Sequence, residues 1–348
     1  MADTQITILG MSGAGKTCYL LGLYYKMGAG LKGFTITTDE DMDVSLRDRY
    51  ARLCDVSLDK EQRFPAGTDN ISQYVFNLQY GYKTIMSFDW VDYPGAVLER
   101  KSTGNLEDYE TIKQSINKSS SLFICVDGSL LTGDDVDEKI ENVRDNCSNV
   151  INTFFSEYFA ENRELPPTAI IITKYDVCKD DTNPEELCKI IEESFNPFFT
   201  QNEDKKIVTI IPVSLGTNIM DDGGKGKMRP LNIHLPIFMA IWFSLSKKIQ
   251  EYQKDIERQK SIDESNISNL KGKKINEESK WFFKNKEEIQ RLATAISNAE
   301  AAKNSKTKEM TNLLNMMSSN SDRLASELEK IPFVYVNGEK SSFSAIIR

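Results

Sequence analysis

At 348 residues with 40% hydrophobic content, the chain has enough apolar material for one large core or two modest ones. A formal charge of −9 argues against nucleic acid or an anionic membrane as the main partner of the whole chain. The six cysteines are scattered without a CxxC pair, which reads as reduced, cytoplasmic usage. His234 is the only histidine, so a histidine-rich metal site or a catalytic triad is not expected. No signal peptide opens the chain, and the longest apolar run, near Ile233 to Leu245, is too short to span a bilayer.

The first element is a short apolar strand with Ile6, Ile8 and Leu9. It runs into Gly10-Met11-Ser12-Gly13-Ala14-Gly15-Lys16-Thr17 and then into an apolar helix carrying Leu20, Leu23 and Tyr24. Every position of GxxxxGK[ST] is met in the strand, loop and helix setting that a phosphate-binding loop requires. Gly10, Gly13 and Gly15 let successive backbone N–H groups face an anion without Cβ clashes, and the helix offers its positive dipole end. The predicted contacts are Gly10, Ser12, Gly13, Ala14, Gly15, Lys16, Thr17 and Cys18. Among them Lys16 reaches the β- and γ-phosphates and the Thr17 hydroxyl holds Mg²⁺.

Phe34 to Thr38 reads as a strand and Asp39 to Lys60 as a charged, helix-like insertion. Tyr74, Phe76, Leu78 and Tyr80 alternate along Ser72 to Tyr80, and the chain turns at Gly81 and returns as Thr84 to Val91. That strand ends in Asp92-Tyr93-Pro94-Gly95, a DxxG sequence. Asp92 is placed as the Walker B carboxylate for Mg²⁺, and the Gly95 N–H can bond a γ-phosphate. A helix near Glu107 to Asn117, a buried strand Ser121 to Val126, an acidic loop Asp127 to Asp137 and a long helix to about Glu161 follow.

Strand Thr168 to Ile172 leads straight into Thr173-Lys174-Tyr175-Asp176, a [NT]KxD sequence. An aspartate there accepts from both N1–H and the 2-amino group of guanine, while the Lys174 stem lies along the base plane. The next strand, Lys206 to Val213, ends in Ser214-Leu215-Gly216, matching a short serine motif whose backbone N–H meets guanine O6. A loop with Gly223, Gly224 and Gly226 and a helix from about Ile233 through Phe243 complete this part.

With GMSGAGKT, DYPG, TKYD and SL in this order, residues 4–246 resemble a Ras-like P-loop GTPase of the translation-factor-related class. Within it the chain is most similar to bacterial double-GTPase and conflict-system (defence) GTPases. This similarity lies in the insertion before Pro65-Ala66-Gly67-Thr68 and in the run from Pro230 to Phe238. The resemblance implies an α/β fold, a mostly parallel six-stranded sheet flanked by helices, with GTP/GDP and Mg²⁺ as ligands. It also implies a switch threonine that completes the metal shell. Thr68 is best placed, with Thr35, Thr37 and Thr38 as rivals.

Where Ras-like relatives carry a water-orienting glutamine after DxxG, this chain has Ala96. Glu99 is the nearest carboxylate, and a partner protein or second protomer could supply the missing group. Arg63 is a candidate arginine finger in cis, with Arg100 a rival, each weighed against an ordinary surface arginine. The implied catalytic set is therefore Lys16, Thr68, Gly95 and Arg63, and the implied metal set Thr17, Thr68 and Asp92.

From Lys247 composition shifts to Lys, Glu, Asn and Ser, which places a boundary after residue 246. A helical stripe from Ile249, broken at Gly272, and a second helix from about Glu277 to Lys330 predict a helical hairpin over 247–331. Lys303, Lys306, Asn320 and Glu327 interrupt its heptad seam, so a strong parallel zipper is not predicted. Phe333 to Val336, Asn337-Gly338 and Phe343 to Ile347 predict a β-hairpin over 332–348. The functional expectation is a GTP-hydrolysing switch that reports to a protein partner or a second protomer. The alternative is a non-hydrolysing GTP-bound scaffold acting through its helical tail. An ATPase is disfavoured because Asp176 would face the unprotonated N1 of adenine.

Overall fold

The structure, a computed structural model, describes residues 4–67, 71–95, 106–162, 164–201, 206–217, 219, 227–279 and 286–347. Its first elements are β1 (Thr4–Leu9), α1 (Lys16–Gly28), β2 (Phe34–Thr37), α2 (Glu40–Cys54), β3 (Ser72–Tyr80), β4 (Lys83–Asp92), α3 (Leu106–Lys118) and β5 (Ser121–Asp127). Then come α4 (Val136–Val143), α5 (Asn149–Glu161), β6 (Thr168–Thr173), α6 (Pro184–Ser194), β7 (Ile207–Pro212), β8 (Ser214–Thr217) and β9 (Lys227–Leu231). The last are α7 (Leu235–Ser279), α8 (Lys286–Leu328), β10 (Phe333–Val336) and β11 (Glu339–Ser341), with single helical turns elsewhere.

Among the described residues nine strands form one sheet in the order β11-β10-β7-β6-β5-β1-β4-β3-β2, and β8 pairs with β9 separately. The five central strands from β7 to β4 are parallel. The fold is thus the α/β fold expected, with helices around a mostly parallel centre. Burial follows position in the sheet. All of Thr168–Thr173 is buried, as a strand covered on both faces requires, whereas β3 alternates and buries Tyr74, Phe76 and Leu78 on one face.

The sheet has nine strands rather than six because both edges are extended. β2 pairs antiparallel with β3 at one edge, and β10 pairs antiparallel with β7 at the other. The predicted terminal hairpin is therefore part of the main sheet. Its turn has Asn337 at φ 53° and Gly338 at φ 84°, the double positive φ that a type I′ turn demands. The second strand of that hairpin is Glu339–Ser341. Phe343–Ile347, expected as the strand, is a helical turn whose Phe343 ring meets Trp242 and Phe243 edge-on at 5.3 and 5.9 Å.

The chain divides into two compact units, Met1–Phe243 with Leu324–Arg348, and Ser244–Arg323. The predicted boundary after residue 246 and the predicted break at Gly272 both fall inside α7, which runs without interruption for 45 residues. An exposed glycine costs a helix only about 1 kcal/mol, too little to end one of this length. Within the second unit, Glu264 pairs with Lys303 and Lys271 with Glu300, both at 2.8 Å, so α7 and α8 lie antiparallel there. Lys303, which interrupts the heptad pattern, thus has an ionic partner across the hairpin.

Tyr335 of β10 is 2% exposed, packs edge-on against Phe199 at 4.8 Å, and donates its hydroxyl hydrogen to Glu192. Tyr335→Ala is expected to lower unfolding free energy by about 3 kcal/mol or more, measured by urea denaturation. A change below about 0.5 kcal/mol would show that the terminal strand contributes little to the domain.

Candidate functional site

The glycine-rich loop takes the backbone shape its residues allow. Gly13 and Gly15 have φ 78° and 79°, in the left-handed region that glycine enters without strain. Gly10 has φ 149°, and a Cβ there would lie 2.7 Å from the carbonyl oxygen of Cys125 on β5. The loop therefore sits directly on the sheet. At its end α1 begins at Lys16, whose ammonium donates to Gly10 O at 2.8 Å and Met11 O at 3.2 Å and so lies across the loop.

The TKYD segment is joined to this loop by one side chain. Thr173 Oγ1 lies 2.8 Å from Ala14 O and 3.0 Å from Val126 O. Lys174 is left-handed at φ 50°, and its ammonium pairs with Asp127 Oδ2 at 2.5 Å. Ser214 Oγ donates to Asp176 Oδ1 at 2.6 Å and accepts from the Gly216 N–H at 3.0 Å. Leu215 packs over α1 where Gly22 leaves room, since a Cβ on that glycine would fall 2.2 Å from Leu215 Cδ2.

These segments enclose a cavity of about 390 Å³. Ser12, Gly13, Ala14, Gly15, Lys16, Thr17, Cys18, Gly95, Thr173, Lys174, Asp176, Ser214 and Leu215 all line it. At the glycine-rich loop it is closed by Phe64 to Gly67 and by Gly95, where an added Cβ would lie 2.2 Å from Ser12 N. Burial pushes the Cys18 thiol up to about 11, so it remains a neutral thiol near pH 7.

Asp92 is 3% exposed at the end of β4, paired with Ile8 of β1 just before the loop. Thr17 and Asp92 offer oxygen donors alone, and among the described residues no group of three or more His, Cys, Asp or Glu could form a metal cage. Such a sparse oxygen set fits Mg²⁺, which keeps several waters and takes one or two protein oxygens plus substrate phosphates.

Arg63 does not meet the cavity. It is 7% exposed, donates from Nη2 to Leu53 O at 3.2 Å at the end of α2, and lies over the Phe64 ring at 5.4 Å. The single turn Lys60–Arg63 points this arginine, a candidate finger in the sequence, toward the end of α2. Of the rival switch threonines, Thr35 bonds Gln79 and Thr38 bonds Val75 O, both along the β2 edge. Thr68, Ala96, Glu99, Arg100 and the loop with Gly223, Gly224 and Gly226 lie outside the described residues.

Two residues that the sequence reading passed over shape the end formed by the TKYD segment. Asp127 holds Lys174 with one carboxylate oxygen and caps the turn Gly128–Leu131 with the other, through Ser129 N at 2.9 Å. Gly128 allows the strands to close, because a Cβ there would be 2.5 Å from Thr173 O. The available signal was an aspartate and a glycine ending a wholly buried strand.

Gly10→Ala is expected to destabilise the protein by roughly 1–3 kcal/mol, because the methyl group meets backbone on β5. Thermal melting without ligand checks this, and an unchanged melting temperature would contradict the close loop-to-sheet contact.

No family model matches the chain, and no curated protein matches it. Among solved structures it is similar to a Plasmodium falciparum protein assigned as nucleolar GTP-binding protein 1, at 10% identity, 74% of this chain, 94% of that chain and a TM-score of 0.35. It is also similar to the GTPase-like domain of Saccharomyces cerevisiae Ski7 bound to GTP, at 15% identity, 63% of this chain, 45% of that chain and a TM-score of 0.32. The same domain bound to GDP and inorganic phosphate matches at 14% identity, 61% of this chain, 43% of that chain and a TM-score of 0.32. The similarity thus spans less than half of the Ski7 chains.

Proposed function

We propose that this chain binds guanine nucleotides and hydrolyses GTP to GDP and phosphate in the presence of Mg²⁺. The observation that carries this reading is one cavity with the phosphate loop at one end and Asp176, oriented by Ser214, at the other. Asp176 accepts from N1–H and the 2-amino group of guanine, and the Lys174 stem lies along the base with its charge held away by Asp127. At the other end Lys16 exchanges its two loop carbonyls for β- and γ-phosphate oxygens, while loop N–H groups face the same charge. Thr17, Asp92 and Thr68 would hold the cation, which would neutralise charge on the β- and γ-phosphate oxygens.

Ala96, which has no hydrogen-bonding side chain, favours a second reading in which GTP is a structural ligand and the helical unit is the working surface. Reporting of nucleotide state to a protein partner or second protomer, and a place in a bacterial defence system, are supported by the sequence resemblance. The scattered free cysteines support a cytoplasmic setting, and no helix among the described residues is long and apolar enough to cross a membrane.

Asp176→Asn is expected to weaken GTP binding by about tenfold or more and to raise affinity for xanthosine triphosphate. Competition against a fluorescent nucleotide measures both, and unchanged GTP affinity would remove the assignment of Asp176. Asp127→Asn frees Lys174 and is expected to weaken GTP and GDP alike by roughly fivefold, the modest effect of a partly buried pair. Combined with Lys174→Ala it should add little further loss. Additive losses would show that the two residues act separately.

A further inference from the structure

Hydrolysis by water requires a group that orients the nucleophile, and the side chain of the residue after Gly95 cannot do so because that of Ala96 carries no polar atom. Among the described residues at the phosphate end of the cavity, the side chains able to hydrogen-bond a water strongly are those of Ser12, Lys16 and Thr17. Lys16 lies across the loop toward the phosphate chain, and Thr17 stands in the first turn of α1 as the cation ligand. That leaves Ser12, which is exposed at the crest of the loop and whose hydroxyl bonds to no described residue.

The glycine contacts place Ser12 where the walls of the site converge. A Cβ on Gly95 would lie 2.2 Å from Ser12 N, and a Cβ on Gly67 would lie 3.3 Å from Ser12 Oγ. Glycine at both positions lets the turn after β4 and the segment 64–67 close onto this one residue. The Ser12 hydroxyl therefore lies close to Gly67, and the Ser12 backbone close to Gly95, where the three segments meet. In-line attack calls for a water on the side of the γ-phosphorus opposite the departing diphosphate.

We propose that Ser12 is a further catalytic residue, its hydroxyl oxygen accepting a hydrogen bond from the attacking water in place of the side chain absent at Ala96. This rests on the hydrolytic reading above. The water oxygen forms a bond to the γ-phosphorus as the bond to the β,γ-bridging oxygen breaks. The electron pair leaves on GDP, and the water proton passes to the released phosphate. Ser12 stays protonated throughout and forms no covalent intermediate, so the step needs no other reactant.

The test is single-turnover phosphate release from GTP with Mg²⁺ by the full chain, its Ser12→Ala variant and its Ser12→Thr variant, alongside binding of GDP and a non-hydrolysable GTP analogue. Ser12→Ala is expected to slow release by about tenfold or more while analogue and GDP affinities stay within about twofold, and Ser12→Thr recovers most of the rate because it keeps the hydroxyl. Release by Ser12→Ala at the full rate would overturn the proposal. A loss of analogue affinity as large as the loss of rate would also overturn it, by making Ser12 a binding residue only. If the unmodified chain binds GTP and releases no phosphate, the hydrolytic reading itself fails, an outcome distinct from a failure of Ser12 alone.

Discussion

One hydroxyl group sets the distance between the two ends of this site. Thr173 ends the central strand β6 and hydrogen-bonds between a carbonyl of the glycine loop and a carbonyl of β5. Those oxygens belong to segments 159 and 47 residues away in sequence, and the strand that holds the hydroxyl is buried along its whole length. Loop, TKYD segment and sheet are thereby fixed to one another. A ligand with an anion at one end and a purine at the other meets a cavity whose length is already determined, so less of its binding energy is spent on ordering the protein.

Glycine carries the same constraint from the other direction. At Gly10, Gly95 and Gly128 a single methyl group would strike backbone atoms of a neighbouring segment, so these positions are set by close approach rather than by a need for flexible chain. The site is built from backbone against backbone, with few side chains between. Changes of one carbon atom at such points move peptide planes, and the protein interior is too densely packed to absorb that locally.

The parts that could be read from the sequence are those whose physics is local. The phosphate loop compresses its glycines, its lysine and its helix start into eight consecutive residues, and the alternation of Tyr74, Phe76 and Leu78 shows a half-buried strand without reference to anything else. Helix α6 was also legible, since Asn183, Pro184 and Glu186 spell a capping box that the structure forms, although the stretch was passed over. Asp127 was not legible, because its partner Lys174 lies 47 residues away and only strand order brings them together. The contact of Arg63 was not legible for a related reason, because the geometry of a four-residue turn directs it to a helix end ten residues earlier in the chain. At Gly272 a correct rule about glycine was outweighed by the length of the helix around it.

The pairing of β10 with β7 has a consequence for how the protein is made. The helical unit lies between two stretches of the first unit, so it is an insertion in that unit's chain rather than a tail added after it. During synthesis the edge of β7 waits uncovered until more than a hundred further residues have been added. Until then a strand adjoining the Ser214-Leu215-Gly216 segment exposes its backbone donors and acceptors, the kind of edge that pairs with wrong partners. The inserted helices must therefore be produced before β10 can cover the edge of β7 and the main sheet can be completed.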